Sequence, residues 1–322
     1  MESALVSAYL LLGNGYGKAL DATAAQAWAA EQGALWLHLD YTAVESHSWL
    51  RQQSGIDPLV LEAFLAEDTR PRCFSHPAGL LVILRGVNLN PGAEPDDMVS
   101  IRLWIEANRV ISIRHRKLMA IEDIRSRLEQ GNGPENCGDF LVQLSNGLAW
   151  RMADVLETME DAVDELEDEV LERGTYELRG KLSAIRRQII RLRRYLAPQR
   201  EVMNRLQTEK NVILDEFDKA KLRETADQIT RYVEDLDSAK DRAAVCQEEL
   251  ESRMGAQMNK TLYILSIITA VFLPLGLLTG LLGINVGGIP GSDNPLAFLL
   301  VCLLLLVIVV IQLLIFRRIR WV

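Results

Sequence analysis

Cysteine is scarce in this chain, and the few cysteines lie far apart. There are four, and none forms a CxxC pair: Cys73, Cys137, Cys246 and Cys302. Disulfide-stapled folds and zinc fingers depend on closely spaced cysteines. We therefore expect a reducing compartment and neither kind of site.

Recognisable catalytic and ligand-binding motifs are also missing. The four histidines contain no HExxH motif and no i, i+4 pair, which favours ordinary strand or surface histidines over a metal site. They are His38, His47, His76 and His115. The glycine-rich stretch from Gly13 to Lys18 lacks the G-x-x-x-x-G-K-[ST] spacing of a phosphate-binding loop, which favours a plain turn. Without a nucleophile, a metal motif or an acid/base pair, the sequence does not predict an enzyme.

A basic charge excess is lacking as well. The 322 residues carry a net charge of −9 and an isoelectric point of about 5.2, which argues against nucleic acid as a partner. The first residues, MESALVSAYLLLGNG, show neither a basic leader nor a cleavage site, so we expect no signal peptide.

Two long stretches near the C-terminus contain no charged residue. They are residues 261–282 and 296–316, and about 20 apolar residues at about 1.5 Å each cross a bilayer core of about 30 Å. The short connection carries several glycines and prolines, which favours an antiparallel hairpin through the membrane. We predict a first transmembrane helix over 261–283, a loop over 284–295 and a second transmembrane helix over 296–316.

Lysine and arginine are distributed unevenly around this hairpin. The loop has none, whereas Arg253 and Lys260 precede the first span and a basic tail, 317–322, follows the second. By the positive-inside rule, both termini are predicted to be cytoplasmic and the loop to lie outside.

Residues 1–135 have the pattern of a cytoplasmic α/β domain. Short β-like runs occur at 4–12, 35–39 and 80–89, and the runs 99–106 and 110–113 form a predicted hairpin. Helices are predicted at 22–31, after a capping box of Thr42 and Glu45, and after Asp57 and Pro58. The order shows no parallel repeat.

Residues 139–210 have the pattern of an antiparallel helical hairpin. The first helix has an apolar stripe and an acidic face, the second an apolar stripe and a basic face, and Gly174 separates them. One interpretation is mutual neutralisation of the two charged faces, at roughly a few tenths of a kcal/mol per exposed pair. The other is that surplus carboxylates attract cations toward a conduction path. Pro198 is expected to kink or end the second helix.

A third helix is predicted to begin at Asn211 and to form a stalk over 211–260. Its apolar stripe, which includes Leu236, Leu250 and Met254, continues in phase into the first span, so that stalk and span form one helix. Two membrane helices cannot enclose a water-filled pore, and conduction therefore needs several copies around an axis. The stalk stripe is the predicted seam between copies.

One face of the first span carries small and polar residues, and we predict that it lines the pore. It comprises Asn259, Leu262, Ser266, Thr269, Leu273, Gly276 and Gly280. Gly276 and Gly280 also match the GxxxG pattern of close helix packing, and both roles can hold because helices around a narrow pore must pack closely. Pro274 leaves the carbonyl of Ala270 without its helical donor.

The outer end of the first span carries Gly283, Ile284 and Asn285. The last-turn carbonyls and the negative end of the helix dipole favour a cation there. A ring of Asn285 amides would add neutral oxygen acceptors that hold a hydrated ion without trapping it. The combination suits a transported divalent cation, whereas no bound cofactor is expected and no resident metal ligand can be assigned.

The α/β domain, the long helix running into the first of two C-terminal spans, the Gly-x-Asn end and the basic tail together resemble the CorA superfamily of divalent-cation transporters. The resemblance implies a funnel-shaped homopentamer in the bacterial inner (plasma) membrane, with Gly283, Ile284 and Asn285 as its selectivity signature. Most of that family has Tyr-Gly-Met-Asn at this place. The Ile here, with the residues from Val286 to Gly291, is similar to the ZntB branch, which implies Zn²⁺ uptake coupled to protons as a symport.

Three functions remain open on this reading. The first is Zn²⁺ transport, and a Mg²⁺, Co²⁺ or Ni²⁺ channel of the same architecture is the alternative.

Neither span contains His, Asp, Glu or Lys, so a proton has no carrier among their side chains. The first span also lacks Cys and His, and zinc is therefore expected to pass hydrated. The third function, a membrane-anchored scaffold or signalling protein, predicts no ion flux.

Overall fold

The computed structural model describes residues 3–67, 69–172, 175–209, 212–283 and 295–318. The chain divides into two compact units, Met1–Glu248 and Glu249–Val322. The first unit holds a β-sheet with the helices around it, and the second holds two apolar helical segments. The division falls inside the longest helix of the chain.

The first unit contains a seven-stranded sheet. Its strands are β1 (Leu5–Leu11), β2 (Gly17–Ala19), β3 (Ala34–Asp40), β4 (Arg72–His76), β5 (Gly79–Gly86), β6 (Val99–Ile105) and β7 (Arg109–Arg114). They lie in the order β2-β1-β3-β7-β6-β5-β4. The predicted hairpin, β6 with β7, is confirmed. The pairing of β3 with β7 is parallel, whereas the sequence shows no parallel repeat that would predict it.

Helices cover both faces of this sheet. Between the strands lie α1 (Ala22–Gln26), α2 (Val44–Gln52) and α3 (Pro58–Leu65), and after the last strand lie α4 (Met119–Gln130) and α5 (Cys137–Glu172). Leu35 and Leu37 of β3 belong to one buried cluster with Phe64 of α3. Trp36, between them, contacts Phe140 of α5 with the ring centroids 4.8 Å apart. Because successive strand residues face opposite sides, the centre of the sheet is buried on both.

Two of the predicted helix starts differ from the structure. The capping box of Thr42 and Glu45 was wrong, because Thr42 N and Oγ1 both donate to Asp40 Oδ1, at 2.8 and 2.6 Å. Helix α2 begins at Val44 without a side-chain cap. The helix predicted at 22–31 is instead α1 followed by a short 3₁₀ turn, Ala30–Gln32. The start after Asp57 is confirmed, since its carboxylate accepts the N–H of Leu59 at 2.8 Å.

The remaining helices are α6 (Glu177–Thr208), α7 (Glu216–Leu282) and α8 (Ala297–Arg318). Pro198 does not end α6, because the turn that follows is held by buried side chains, among them Val202 and Met203. Helix α7 begins later than the predicted stalk at 211–260. Asp215 and Asp218 form a reciprocal cap there, with N···Oδ distances of 2.7 and 3.3 Å, and this cap fixes the first turn.

The second unit consists of the later part of α7 and the whole of α8. Both helices are long and apolar enough to cross a membrane, and their most apolar windows are 0% buried within the chain. Arg317 and Arg318 stand in the last turn of α8. Both predicted spans are therefore helical in the structure over most of their length.

Candidate ion-conducting helix

The face of α7 that we predict to line a pore is uncovered in the single chain. Every member of it is exposed: Asn259, Leu262, Ser266, Thr269, Leu273, Gly276 and Gly280. The side chains of Ile267, Ala270, Pro274 and Leu278 are partly buried instead. At 3.6 residues per turn, this second group is centred about 120° around the helix from the first. The assignment to a pore stays a prediction, but the face is open as a pore face must be.

Both hydroxyl side chains on this face direct their hydrogens into the helix. Ser266 Oγ donates to the carbonyl of Leu262 at 2.8 Å, and Thr269 Oγ1 donates to the carbonyl of Leu265 at 2.9 Å. A hydroxyl has one hydrogen and two acceptor lone pairs. With the hydrogens engaged, the two oxygens present acceptors to the open side, and neutral acceptors suit a passing cation.

The glycines of the same face leave a groove. A Cβ placed on Gly276 or Gly280 would meet no atom within 4 Å. The groove has a volume of about 680 Å³ and is lined by Ile268, Thr269, Phe272, Leu273, Gly276 and Leu277. Helix α8 therefore does not fill the space above these glycines, and close packing at the GxxxG pattern needs a helix from another copy.

Of the predicted selectivity signature, Gly283 is the part that the structure describes. Its N–H donates to the carbonyl of Thr279 at 2.9 Å, so the helical bonding continues up to the signature. A Cβ on Gly283 would lie 3.0 Å from the same carbonyl oxygen, closer than ordinary van der Waals contact. Ile284 and Asn285 lie outside the described residues, and their role stays a prediction.

The partly buried side of α7 meets α8 through a polar contact that the sequence analysis did not predict. Gln312 Nε2 of α8 donates to the carbonyl oxygen of Ala270 in α7 at 3.3 Å. This is the carbonyl that Pro274 leaves without a helical donor. The contact shows that α7 and α8 are neighbours at this depth. The signal in the sequence was a single amide in an otherwise apolar stretch opposite a proline-bearing span.

The comparisons with known proteins decide the family. A model described as "CorA-like Mg2+ transporter protein" matches residues 31–318. The chain belongs to this CorA-like family. The family is one of transporters, and the resemblance drawn from the long helix and the Gly-x-Asn end is confirmed.

Individual relatives cover nearly the whole chain. The "Divalent cation transporter CmaX" of Pseudomonas aeruginosa is 41% identical over 99% of this chain and 97% of its own length. The "Zinc transport protein ZntB" of Yersinia enterocolitica is 38% identical over 87% of this chain and 86% of its own length. The solved structure of full-length CmaX superimposes with a TM-score of 0.87 at 40% identity, covering 100% of this chain and 99% of that one. The predicted α/β domain, long helix and pair of C-terminal apolar helices are thereby confirmed, while the homopentamer stays a prediction.

In this CorA-family chain, the stalk stripe is already covered by the protein's own helices. Leu236 is 1% exposed and Leu250 is 0% exposed. The prediction that Leu236 and Leu250 form the seam between copies was therefore wrong, whereas Met254, the third residue of the predicted seam, is only partly buried. An apolar stripe shows that a helix face is buried but does not show which helix buries it. The stalk also carries exposed apolar side chains, Val245 at 64% and Met258 at 61%.

Ion pairs hold α7 beside α5 and α6 within the first unit. Arg242 of α7 contacts Asp164 of α5 and donates to Glu167 at 2.6 Å. Arg193 of α6 lies 2.6 Å from Asp237 of α7. These contacts show that α5 and α6 are neighbours of α7 within the first unit.

Mutual neutralisation of α5 and α6 is present but limited. Lys181 of α6 lies 3.0 Å from Glu169 of α5, while Arg191 pairs at 2.5 Å with Asp96, which precedes β6. Much of the acidic face of α5 is left exposed. Burial, followed by the charges of Asp235 and Asp164, raises the pKa of Glu160. Like charges from Asp235 and Asp164 therefore lie near Glu160, and the attraction of cations by this face stays a prediction.

Two of the four histidines, His38 and His47, have ordinary structural partners. His38 is 0% exposed, and its Nδ1 lies 2.7 Å from Ser112 Oγ. Burial is the main cause that lowers the pKa of His38 to about 3, so the ring is neutral. His47 Nε2 lies 2.8 Å from the carbonyl of Tyr41. Within the described ranges, no group of three or more His, Cys, Asp or Glu side chains is arranged to hold a metal ion.

The glycine-rich stretch near the N-terminus forms a turn. Gly13 and Gly15 have φ angles of 75° and 82°, and the stretch joins β1 to β2 as an antiparallel hairpin. The expectation of a plain turn is confirmed.

Proposed function

We propose that this chain, a divalent-cation transporter of the CorA family, carries Zn²⁺ into the cell along the axis of a homopentamer. The observation that carries the proposal is the uncovered face of α7. It combines outward acceptor oxygens of Ser266 and Thr269 with a glycine groove that α8 leaves open. A single copy cannot enclose such a face, whereas a ring of copies would turn it toward a common axis.

The chemistry of the face supports passage of a hydrated ion. Zinc sites that strip the ion of water use Cys and His ligands, and the first span has neither. Oxygen acceptors at a distance of one water layer stabilise the ion while letting it leave. The Asn285 amides at the outer mouth would be the first such acceptors that the ion meets.

The choice of Zn²⁺ follows relatives such as the zinc transport protein of Yersinia enterocolitica. A Mg²⁺, Co²⁺ or Ni²⁺ channel is the second candidate, favoured by the family description, which names Mg²⁺. Symport with protons also belongs to the proposal. Because neither span contains His, Asp, Glu or Lys, the proton would move through water in the pore or through groups of the first unit. Membership in a family of transporters disfavours the scaffold alternative.

The proposed setting is the bacterial inner membrane with both termini in the cytoplasm. The support is the lysine and arginine on the termini side of both spans and their absence from the loop. Divalent cations and the bilayer are then the partners of the assembly, together with the other copies.

The decisive experiment is metal uptake into proteoliposomes. Zn²⁺, Mg²⁺, Co²⁺ and Ni²⁺ are compared with and without a pH gradient, using the wild type, Asn285→Ala and Asn285→Asp. Asn294→Ala, an asparagine of the same loop, is the matched control. We expect Asn285→Ala to reduce uptake sharply and Asn294→Ala to leave it unchanged. Asn285→Asp should bind the ion more tightly and release it more slowly.

Two outcomes would contradict the proposal. A wild type that moves none of the four ions is not a transporter of these cations. Uptake by Asn285→Ala at the wild-type rate would remove the outer mouth as the selectivity site and direct attention to Thr269 or Asn259.

A further inference from the structure

The contact between Gln312 and Ala270 replaces a backbone hydrogen bond that is missing from the first span. Residue 274 of an unbroken helix would donate its N–H to the carbonyl of residue 270, but Pro274 has no N–H. Gln312 Nε2 occupies the donor position at 3.3 Å from the Ala270 oxygen. The missing bond is thus replaced by a side chain that comes from the other helix.

The chemistry fixes which end of the amide makes this contact. A backbone carbonyl can only accept, so the NH₂ group must face Ala270 and the oxygen must point elsewhere. Gln312 Oε1 is enclosed and has no hydrogen-bond partner among the described residues. An amide in an apolar helix is costly, and its donor end is engaged here while its acceptor end is not. The arrangement indicates that the donated bond is the reason for the amide.

The position of the contact ties it to the conducting face. Ala270 and Pro274 are on the partly buried side of α7, whereas Thr269 and Leu273 are exposed on the candidate pore face. Ala270 directly follows Thr269 in the chain, and Pro274 directly follows Leu273. Any change in helix direction at the proline therefore moves Thr269 and Leu273, and α8 holds that direction through one hydrogen bond.

We propose that Gln312 is a positioning residue for transport. Its amide takes the place of the N–H that Pro274 lacks, and α8 thereby fixes the conformation of α7 at the level of Thr269 and Leu273. The role of Gln312 in transport rests on the proposed cation transport. The hydrogen bond between Gln312 and Ala270 does not, so the role and the bond can be tested separately.

The test is a double-mutant cycle in the full chain. The wild type, Gln312→Leu, Pro274→Ala and the double variant are purified, and each is used for Zn²⁺ uptake and for thermal melting in detergent. Gln312→Leu removes the donor, and Pro274→Ala restores the donor inside α7. Interhelical hydrogen bonds in membranes change the equilibrium constant between the bonded and unbonded states by roughly 3- to 18-fold. We therefore expect Gln312→Leu to lower the maximal uptake rate by that factor and Pro274→Ala to restore most of it.

Two further variants separate positioning from packing. Gln312→Asn keeps an amide but is one methylene too short to reach Ala270, and it should behave like Gln312→Leu. Cys302→Ala, an exposed position of the same helix, should match the wild type. The half-saturating Zn²⁺ concentration should stay unchanged in all variants, because none of them touches the outer mouth.

The outcomes are distinct. Coupling between positions 274 and 312 in both uptake and melting supports the proposal. Coupling in melting with independent effects on uptake makes the contact structural and overturns the positioning role. Purely additive effects in both measurements overturn the contact itself. If the wild type shows coupling in melting but moves no metal, the contact stands and the proposed transport of Zn²⁺ fails.

Discussion

The stalk offers a sharp test of which side chains hold one chain together and which join copies. Leu236 is 1% exposed and Val245 is 64% exposed on the same helix. Truncating a fully buried leucine to alanine costs about 2–5 kcal/mol. For a unit of this size, each kcal/mol lowers the melting temperature by about 2–4 °C. Leu236→Ala should therefore lower it by about 4–20 °C, whereas Val245→Ala should stay within about 2 °C.

We expect the oligomeric mass to depend on Val245 more than on Leu236. Val245→Glu would place one added carboxylate per copy on an exposed stalk surface, where the charges repel if the copies meet there. Intrinsic tryptophan fluorescence reports melting of the full chain, and light scattering in mild detergent reports its mass. We expect Val245→Glu to reduce the mass at a nearly unchanged melting temperature. If Leu236→Ala dissociates the oligomer without lowering the melting temperature, the stripe is a seam between copies after all.

Three further predictions concern pH, the mouth and the topology. The pKa of His38 is lowered from 6.5 to about 3, so the free energy of unfolding should decrease as the pH falls below about 6.5, by about 2 kcal/mol at pH 5. The melting temperature of His38→Gln should depend less on pH than that of the wild type. Gly283→Ala should slow Zn²⁺ uptake at unchanged mass, because its Cβ lies 3.0 Å from a carbonyl, and equal uptake would contradict this. An impermeant thiol reagent should label Ser292→Cys in intact cells but Ser252→Cys only after permeabilisation. The opposite result would reverse the predicted orientation of the pore in the membrane. Native Cys246 is 5% exposed and is too buried to react with the reagent.

The sequence predicted those features that depend on composition over long windows. The two charge-free runs became the apolar helices, and the Asp57–Pro58 start of α3 follows directly from local chemistry. Local motifs failed where a stronger partner was available. Asp40 engages Thr42 in place of the predicted capping box, and packing carries α6 through Pro198.

Features that depend on which surfaces meet could not be predicted from periodicity. The stripe at Leu236 has the same spacing whether α5 and α6 or a second copy covers it. The bond from Gln312 to Ala270 joins residues 42 positions apart, and a hydropathy pattern shows the amide and the proline but not their pairing. The signature at Ile284 and Asn285 was reached through family resemblance, and it stays a prediction.

The single parallel contact in the sheet has a consequence for the order of folding. The pairings among β1 to β3 and those among β4 to β7 are antiparallel, and the two groups meet where β3 pairs with β7. Local hairpins form early, while a contact between distant segments closes a long loop and forms late. His38 and Ser112 are register partners at this joint, and Ser112 Oγ also accepts the indole N–H of Trp36 at 2.8 Å. A slip by one residue would turn these polar groups to the other face of the sheet and leave them unpaired. The correct register of β3 against β7 is therefore favoured over a register shifted by one residue.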